Sequence, residues 1–270
     1  MIRLGHIDYS NCFPVHARLL AEQTPADVQI LTGVPAVLNR ALAAGEIDVA
    51  PCSSIEYARH APHYRILPDF VIGSDGPVQS IRFDASIAPE RLDGATVFVT
   101  DSSATSVVLL RILLERCWGV TPNFETFDQT RSDPLRGGAA AALFIGDVAL
   151  LRSVDAARFT FDLGEEWTRW TNLPFAFAVW QARTGTSTDE LARLTTLLQD
   201  SREYFRQNRT DLAERFAPHF HIDPQRLLRY WDSLRYDLDE SMRAGLRHFL
   251  ALAAELGEAP PVPQLEFVTV

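Results

Sequence analysis

Four places where an apolar run gives way to a helical pattern could hold a ligand: residues 6–11, 51–54, 100–106 and 146–147, the first three carrying uncharged hydroxyl or amide side chains. The third is the richest. Thr100-Asp101-Ser102-Ser103-Ala104-Thr105-Ser106 opens a long helical pattern, and the unpaired backbone N–H groups and dipole of a helix start favour an anion. Ser103, Thr105 and Ser106 add hydroxyl donors without charge. The same residues are also ordinary helix caps, and the segment alone leaves both roles open. Pro51-Cys52-Ser53-Ser54 repeats the arrangement, so two such starts facing across a cleft would suit a ligand with two carboxylates, with Ser53 on one side. Gly146-Asp147 ends another apolar run and adds a further candidate contact. Asn11, just before Phe13-Pro14, either caps the first helix or reaches a ligand from the same place. Ser80, in Gly76-Pro77-Val78-Gln79-Ser80, is expected on an extended segment, facing either a cleft or solvent.

Other chemistries lack their signatures. No Gly-x-Ser-x-Gly surrounds Ser80 and no His–Asp partner follows it in a recognisable setting, which argues against serine hydrolysis. Walker-type and Gly-x-Gly-x-x-Gly loops are absent. Glu165-Glu166 point in different directions if helical, so a solvated face is the better reading than an acid–base pair. His60 with His63, and His219 with His221, lie beside proline without a third ligand, and Cys12, Cys52 and Cys117 form no close pair. Neither a metal nor another cofactor is expected.

A scaffold must hold these groups. Apolar runs predict strands over 2–7, 28–31 and 47–50, alternating with helices over 12–21, 35–44 and 53–61. That order implies parallel pairing with right-handed crossovers. The pattern restarts with an extended segment at 78–83, strands at 95–100, 124–127 and 141–145, and a helix at 103–118. A strand at 175–180 precedes a helical stretch over 188–256, divided at Pro218 and Pro224. An interrupted first unit suits an α/β fold of two lobes: residues 1–82 with 176–270, and residues 83–175. Crossing strands are expected near 76–84 and 174–180, with a ligand cleft beyond the strand ends.

The bulk properties agree. The 270 residues are 47% hydrophobic and 22% charged, enough for a sizeable core. All 25 basic residues are Arg and the net charge is −10, which argues against non-specific nucleic-acid binding but leaves room for a small anion. No basic, apolar leader and no apolar run of about 18 residues occurs, so a cytoplasmic protein without a membrane partner is expected, as monomer or homodimer.

Read in order, several segments resemble the chorismate dehydratase family of the futalosine route to menaquinone. They are Gly5-His6-Ile7-Asp8-Tyr9-Ser10-Asn11-Cys12-Phe13-Pro14, Gly45-Glu46-Ile47-Asp48-Val49-Ala50-Pro51 and Ser54-Ile55-Glu56-Tyr57. Asp75-Gly76-Pro77-Val78-Gln79-Ser80, the 102–106 turn and Leu143-Phe144-Ile145-Gly146-Asp147 follow. The longest stretch runs from Asp162-Leu163-Gly164-Glu165-Glu166-Trp167 to Trp170-Thr171-Asn172-Leu173-Pro174-Phe175-Ala176-Phe177-Ala178-Val179-Trp180. The resemblance implies a type II periplasmic-binding-protein-like fold and a hydro-lyase that turns chorismate into 3-[(1-carboxyvinyl)oxy]benzoate. It implies that Asn11 and Ser80 act in catalysis and that no cofactor is needed. The related 1,4-dihydroxy-6-naphthoate synthase typically shows Pro-Asn-Asp-Thr at its first helix and a cleft histidine. Here the segment is Asn11-Cys12-Phe13-Pro14, and no His lies between 64 and 218. A non-enzymatic small-anion-binding protein is the remaining alternative for such a fold.

Overall fold

The computed structural model describes residues 1–153, 157–262 and 264–269. Two sheets organise the chain. The first is six-stranded, with the order β11-β4-β10-β3-β1-β2. It takes β1 (Ile2–Ile7), β2 (Val28–Gly33), β3 (Val49–Ser53), β4 (Tyr64–Ser74), β10 (Phe175–Arg183) and β11 (Arg235–Asp237). The second is five-stranded, ordered β7-β6-β8-β5-β9, and takes β5 (Ile81–Ala85), β6 (Thr96–Thr100), β7 (Asn123–Phe127), β8 (Ala141–Ile145) and β9 (Phe159–Asp162).

The expected parallel core is present: β1 pairs in parallel with β2 and β3, and β6 with β7 and β8. Helices α1 (Phe13–Ala21), α2 (Pro35–Ala44) and α3 (Ser54–His60) follow the first three strands. Pro35 begins α2, and Gly45 ends it in the left-handed region at φ 76°, a conformation open to glycine without strain. In the second sheet α4 (Ala104–Ile112) follows β6 and α5 (Gly146–Leu151) follows β8, while α6 (Leu163–Thr171) leads the chain back.

Several elements differ from expectation. The longest strand, β4, was not foreseen, nor were the short strands β9 and β11. The crossings are not strands: β5 and β10 each lie within one sheet, and the chain changes sheets through residues 75–80 and through α6 with residues 172–174. Ser80 therefore sits in a bend just before β5. The expected divisions at 82/83 and 175/176 fall one or two residues inside β5 and β10. Pro218 does not end its helix. Helix α7 (Thr188–Phe220) carries Pro218 in its last turn and bends instead at Asn208.

α9 (Glu240–Glu255) packs on β10 of the first sheet, while α7 packs on α1 and α8 (Pro224–Ser233) on α7. The fit is close at Gly245 on α9, where a Cβ would stand 2.0 Å from the Pro174 carbonyl oxygen. Trp167, Trp180, Phe13 and Phe175 are among the largest fully buried side chains. No described helix is long and apolar enough to cross a membrane.

Candidate functional site

The carboxyl ends of the strands from both sheets face one another around a narrow slot of about 40 Å³. Ile72, Phe177, Ile81 and Ile145 give it apolar walls, and Tyr9, Asn11, Ser53, Ser103, Ser106 and Gly146 give it polar ones. Among the described residues that line it there is no Asp, Glu, His, Cys or Arg. A neutral hydroxyl- and amide-bearing slot beside helix starts suits an anionic ligand held by dipoles and hydrogen bonds.

Of the residues singled out from sequence, Asn11, Ser53, Ser103, Ser106 and Gly146 reach the slot. Ser103 caps α4, accepting from the Ser106 N–H at 3.3 Å, and its hydroxyl donates to the Ser106 hydroxyl at 3.0 Å. Ser53 precedes α3 but caps nothing with its side chain, which leaves its hydroxyl for the slot. Its N–H donates to Asn39 Oδ1 at 3.2 Å.

Thr105 and Asp147 are placed differently: they tie the two sheets' halves together. Thr105, 1% exposed, accepts the Ile55 N–H of α3 at 3.2 Å. The Asp147 carboxylate on α5 accepts the Ser10 N–H at 3.0 Å and the Ser10 hydroxyl at 2.5 Å. Burial holds Asp147 above the usual carboxylate range, and the Ser10 bonds pull the other way. Replacing Thr105 with valine keeps the shape and strands the buried Ile55 N–H. The expected result is a loss of about 1–3 kcal/mol in chemical denaturation, where a residue acting only on ligand would leave the unfolding midpoint unchanged.

Gly146 has φ 63°, and a Cβ there would lie 2.8 Å from the Tyr9 ring. Its N–H donates to the Ser80 carbonyl at 2.8 Å, so it holds the crossing segment in place. Tyr9 spans the mouth toward Ser102 and Gln129, and burial pushes its phenol up to about 12. It stays protonated at neutral pH.

Ser80 meets a residue that no local pattern singles out. Tyr230 on α8 is fully buried, and its hydroxyl donates to Ser80 Oγ at 2.6 Å. Asn11 Oδ1 is buried without a partner, and it belongs to a residue of the slot wall. Asn11 is not the cap of α1, since Cys12 holds that position and makes no side-chain cap. Ser80 is itself fully buried, just behind the wall residues Ile81 and Gly146. Asp162 pins the preceding bend: its carboxylate accepts from Val78 N–H at 3.0 Å and Gln79 N–H at 2.5 Å while also capping α6.

A second cluster was also missed. Ligand atoms of His6, Cys12 and His16 lie within 4.8 Å of one another, all buried. Their hydrogen bonds assign another role. Trp180 Nε1–H, which can only donate, reaches His16 Nε2 at 3.0 Å. His16 then carries its proton on Nδ1 and donates it to His6 Nδ1 at 2.9 Å. A metal on His16 Nδ1 would place the proton on Nε2, against the indole N–H, so the donor set fits a hydrogen-bonded chain and not a metal. His60 pairs with Glu56 at 3.5 Å and His219 with Asp8 at 3.5 Å. Glu165 and Glu166 both pair with Arg169.

Two unequal α/β sheets crossed twice by the chain, with a ligand slot between their strand ends, define a two-lobed protein of the periplasmic-binding-protein kind. The aliphatic sulphonate binding protein of Escherichia coli superposes with a TM-score of 0.63 at 15% identity, over 100% of this chain and 94% of that one. A protein from Archaeoglobus fulgidus fits better, with a TM-score of 0.79 at 19% identity over 95% and 98% of the two chains. At those identities the likeness is one of fold. The chain belongs to the menaquinone-biosynthesis family, whose profile matches residues 2–255. It is 33% identical to the chorismate dehydratase of Thermus thermophilus over 262 residues, covering 91% of this chain and 93% of that protein. It is 30% identical to the chorismate dehydratase of Campylobacter jejuni over 179 residues, 64% of each chain.

Proposed function

We propose that the protein is a hydro-lyase that converts chorismate to 3-[(1-carboxyvinyl)oxy]benzoate and water in the slot between the sheets. The observation that carries the reading is the pair Asn11, in the wall of a slot without charged side chains, and Ser80, buried close by and held by Tyr230. The relatives named above support the choice of substrate.

The chemistry asks little of the protein. Chorismate loses the hydrogen at C3 and the hydroxyl at C4. The C3 hydrogen is acidified through the double bond conjugated with the ring carboxylate, and aromatisation drives the loss of the hydroxyl. Positioning and charge stabilisation then matter more than a strong base. The lining offers no carboxylate or imidazole to act as one, so a carboxylate of the substrate takes the C3 proton. The same proton passes from that carboxylate to the departing hydroxyl, and the products are the aromatic ether and water. Ser53, Ser103 and Ser106 hold the substrate carboxylates near the starts of α3 and α4, where unpaired N–H groups favour negative charge. Gly146, Thr105 and Asp147 keep the closed geometry. Closure of the half built on the five-stranded sheet over the half built on the six-stranded sheet excludes water during the step.

Chorismate mixed with the purified protein should disappear as the substituted benzoate forms, followed by absorbance and by NMR of the aromatic protons. Chorismate recovered intact would sink the assignment.

A further inference from the structure

Tyr230 has no part in the residue set read from sequence, yet its hydroxyl holds one of the two residues that matter most. A phenol has one proton to give. Here it goes to Ser80 Oγ at 2.6 Å. Ser80 then has one lone pair occupied, and its own O–H remains to be given away. Asn11, in the slot wall, offers Oδ1, an acceptor buried without a partner. The protein thus holds an unused acceptor in the wall and an unused donor just behind it. A hydroxyl leaving from carbon needs that combination: an acceptor for its hydrogen, which fixes its orientation, and a donor to its oxygen, which takes up negative charge as the C–O bond lengthens.

The phenol is well placed to enforce this polarity. Burial, the largest influence, holds its pKa well above the ordinary tyrosine value, so it does not lose its proton in any physiological range. Its position is fixed by its own helix. The adjacent Trp231 donates from Nε1 to the Ser10 carbonyl at 2.8 Å, one residue before Asn11, and Arg226 on the same helix donates to the Leu150 carbonyl at the end of α5. Helix α8 therefore grips both halves of the site at once.

Building on the dehydratase reading, we infer that Tyr230 is a positioning residue that donates to Ser80 and so leaves Ser80 its own O–H to donate to the departing hydroxyl. It touches neither the slot nor the substrate and acts through Ser80.

The test is Tyr230→Phe, compared with wild type, Ser80→Ala and the double variant in one chorismate assay with thermal melts. The expected kcat for Tyr230→Phe is lower by about tenfold with KM nearly unchanged, because binding through the serines is intact while the leaving group is not held. The double variant should be no slower than Ser80→Ala alone, since both changes remove one coupled unit. A normal kcat, a loss that tracks only the folded fraction, or losses that multiply in the double variant would each overturn the inference. If the phenylalanine variant does not fold, fluorotyrosine at position 230 keeps the ring and acidifies the phenol. A changed kcat at an unchanged melting point then supports the role, and an unchanged kcat overturns it. A wild-type protein inert toward chorismate would strike the dehydratase reading itself, a result separate from all of these.

Discussion

Asn11→Ala and Ser80→Ala are each expected to lower kcat for chorismate by about tenfold or more, equivalent to about 1.4 kcal/mol of barrier, while the protein remains folded. The reason lies in what each side chain does in the resting structure. Asn11 is not a helix cap, so its removal does not incur the usual capping loss of about 1 kcal/mol. Its Oδ1 has no partner in the protein, which means that its acceptor is unused until a ligand arrives. A group of that kind contributes to turnover more than to folding. Ser80 is different in one respect. Its loss leaves the Tyr230 hydroxyl without an acceptor in a fully buried place, so a fall in stability of about 1–3 kcal/mol should accompany the fall in rate. Steady-state kinetics with melts on the same preparations checks both. Near-normal turnover with a depressed melting point in Asn11→Ala would show that its amide is structural and that another residue holds the leaving group.

The sequence signals that proved readable were local ones. The Pro35 start and Gly45 stop of α2 are set by φ preferences and missing donors within a few residues, and the helix runs over the expected span. The apolar run of β8 is bounded by Gly146, and its ends also match. β4 was hidden by Pro68, which breaks a run that otherwise favours a strand. The structure accommodates Pro68 where the pairing of β4 with β10 shifts register, between Ile66 and Val71, so the missing N–H is not required by the ladder. β9 and β11 are edge strands of four and three residues, too short for any periodicity to show.

The candidate site divides in the same way. Helix-start hydroxyls were visible because capping and anion binding draw on the same residue types, but the pattern could not say which hydroxyls face the slot. Thr105 turned toward Ile55, whereas Ser103 and Ser106 lie along the slot wall. Tyr230 had no local signal at all, since 150 residues separate it from Ser80 and it reads as one more aromatic on an amphipathic helix. Its selection depends on tertiary packing, which no window of sequence contains.

Acid should destabilise the protein well above the range in which its carboxylates titrate, and the His6–His16 pair is the cause. Both imidazoles are buried, and burial lowers His6 to about 4 and His16 well below the ordinary value of 6.5. Asp8 opposes the shift at His6, while His219 adds to it. His6 in turn disfavours charge on His16, and Trp180 donates to the nitrogen of His16 that protonation would need. Unfolded, each ring takes up a proton near pH 6.5; folded, each resists it. The unfolded state therefore binds more protons between pH 6.5 and about 4, and the stability present above pH 6.5 is lost as the pH falls through that window. From pH 7 to pH 5 the expected loss is roughly 2 kcal/mol for each ring, before the carboxylates contribute appreciably. The check is the denaturation midpoint across that interval, together with imidazole proton resonances of the folded protein. Flat stability from pH 7 to 5, or two buried rings that titrate near 6.5, would show that water or a counter-charge reaches the pair. With the donor chain intact, both rings stay neutral at pH 5. The fold then bears the whole free-energy difference, because protonating His16 at Nε2 would force the indole N–H of Trp180 to give up its only partner.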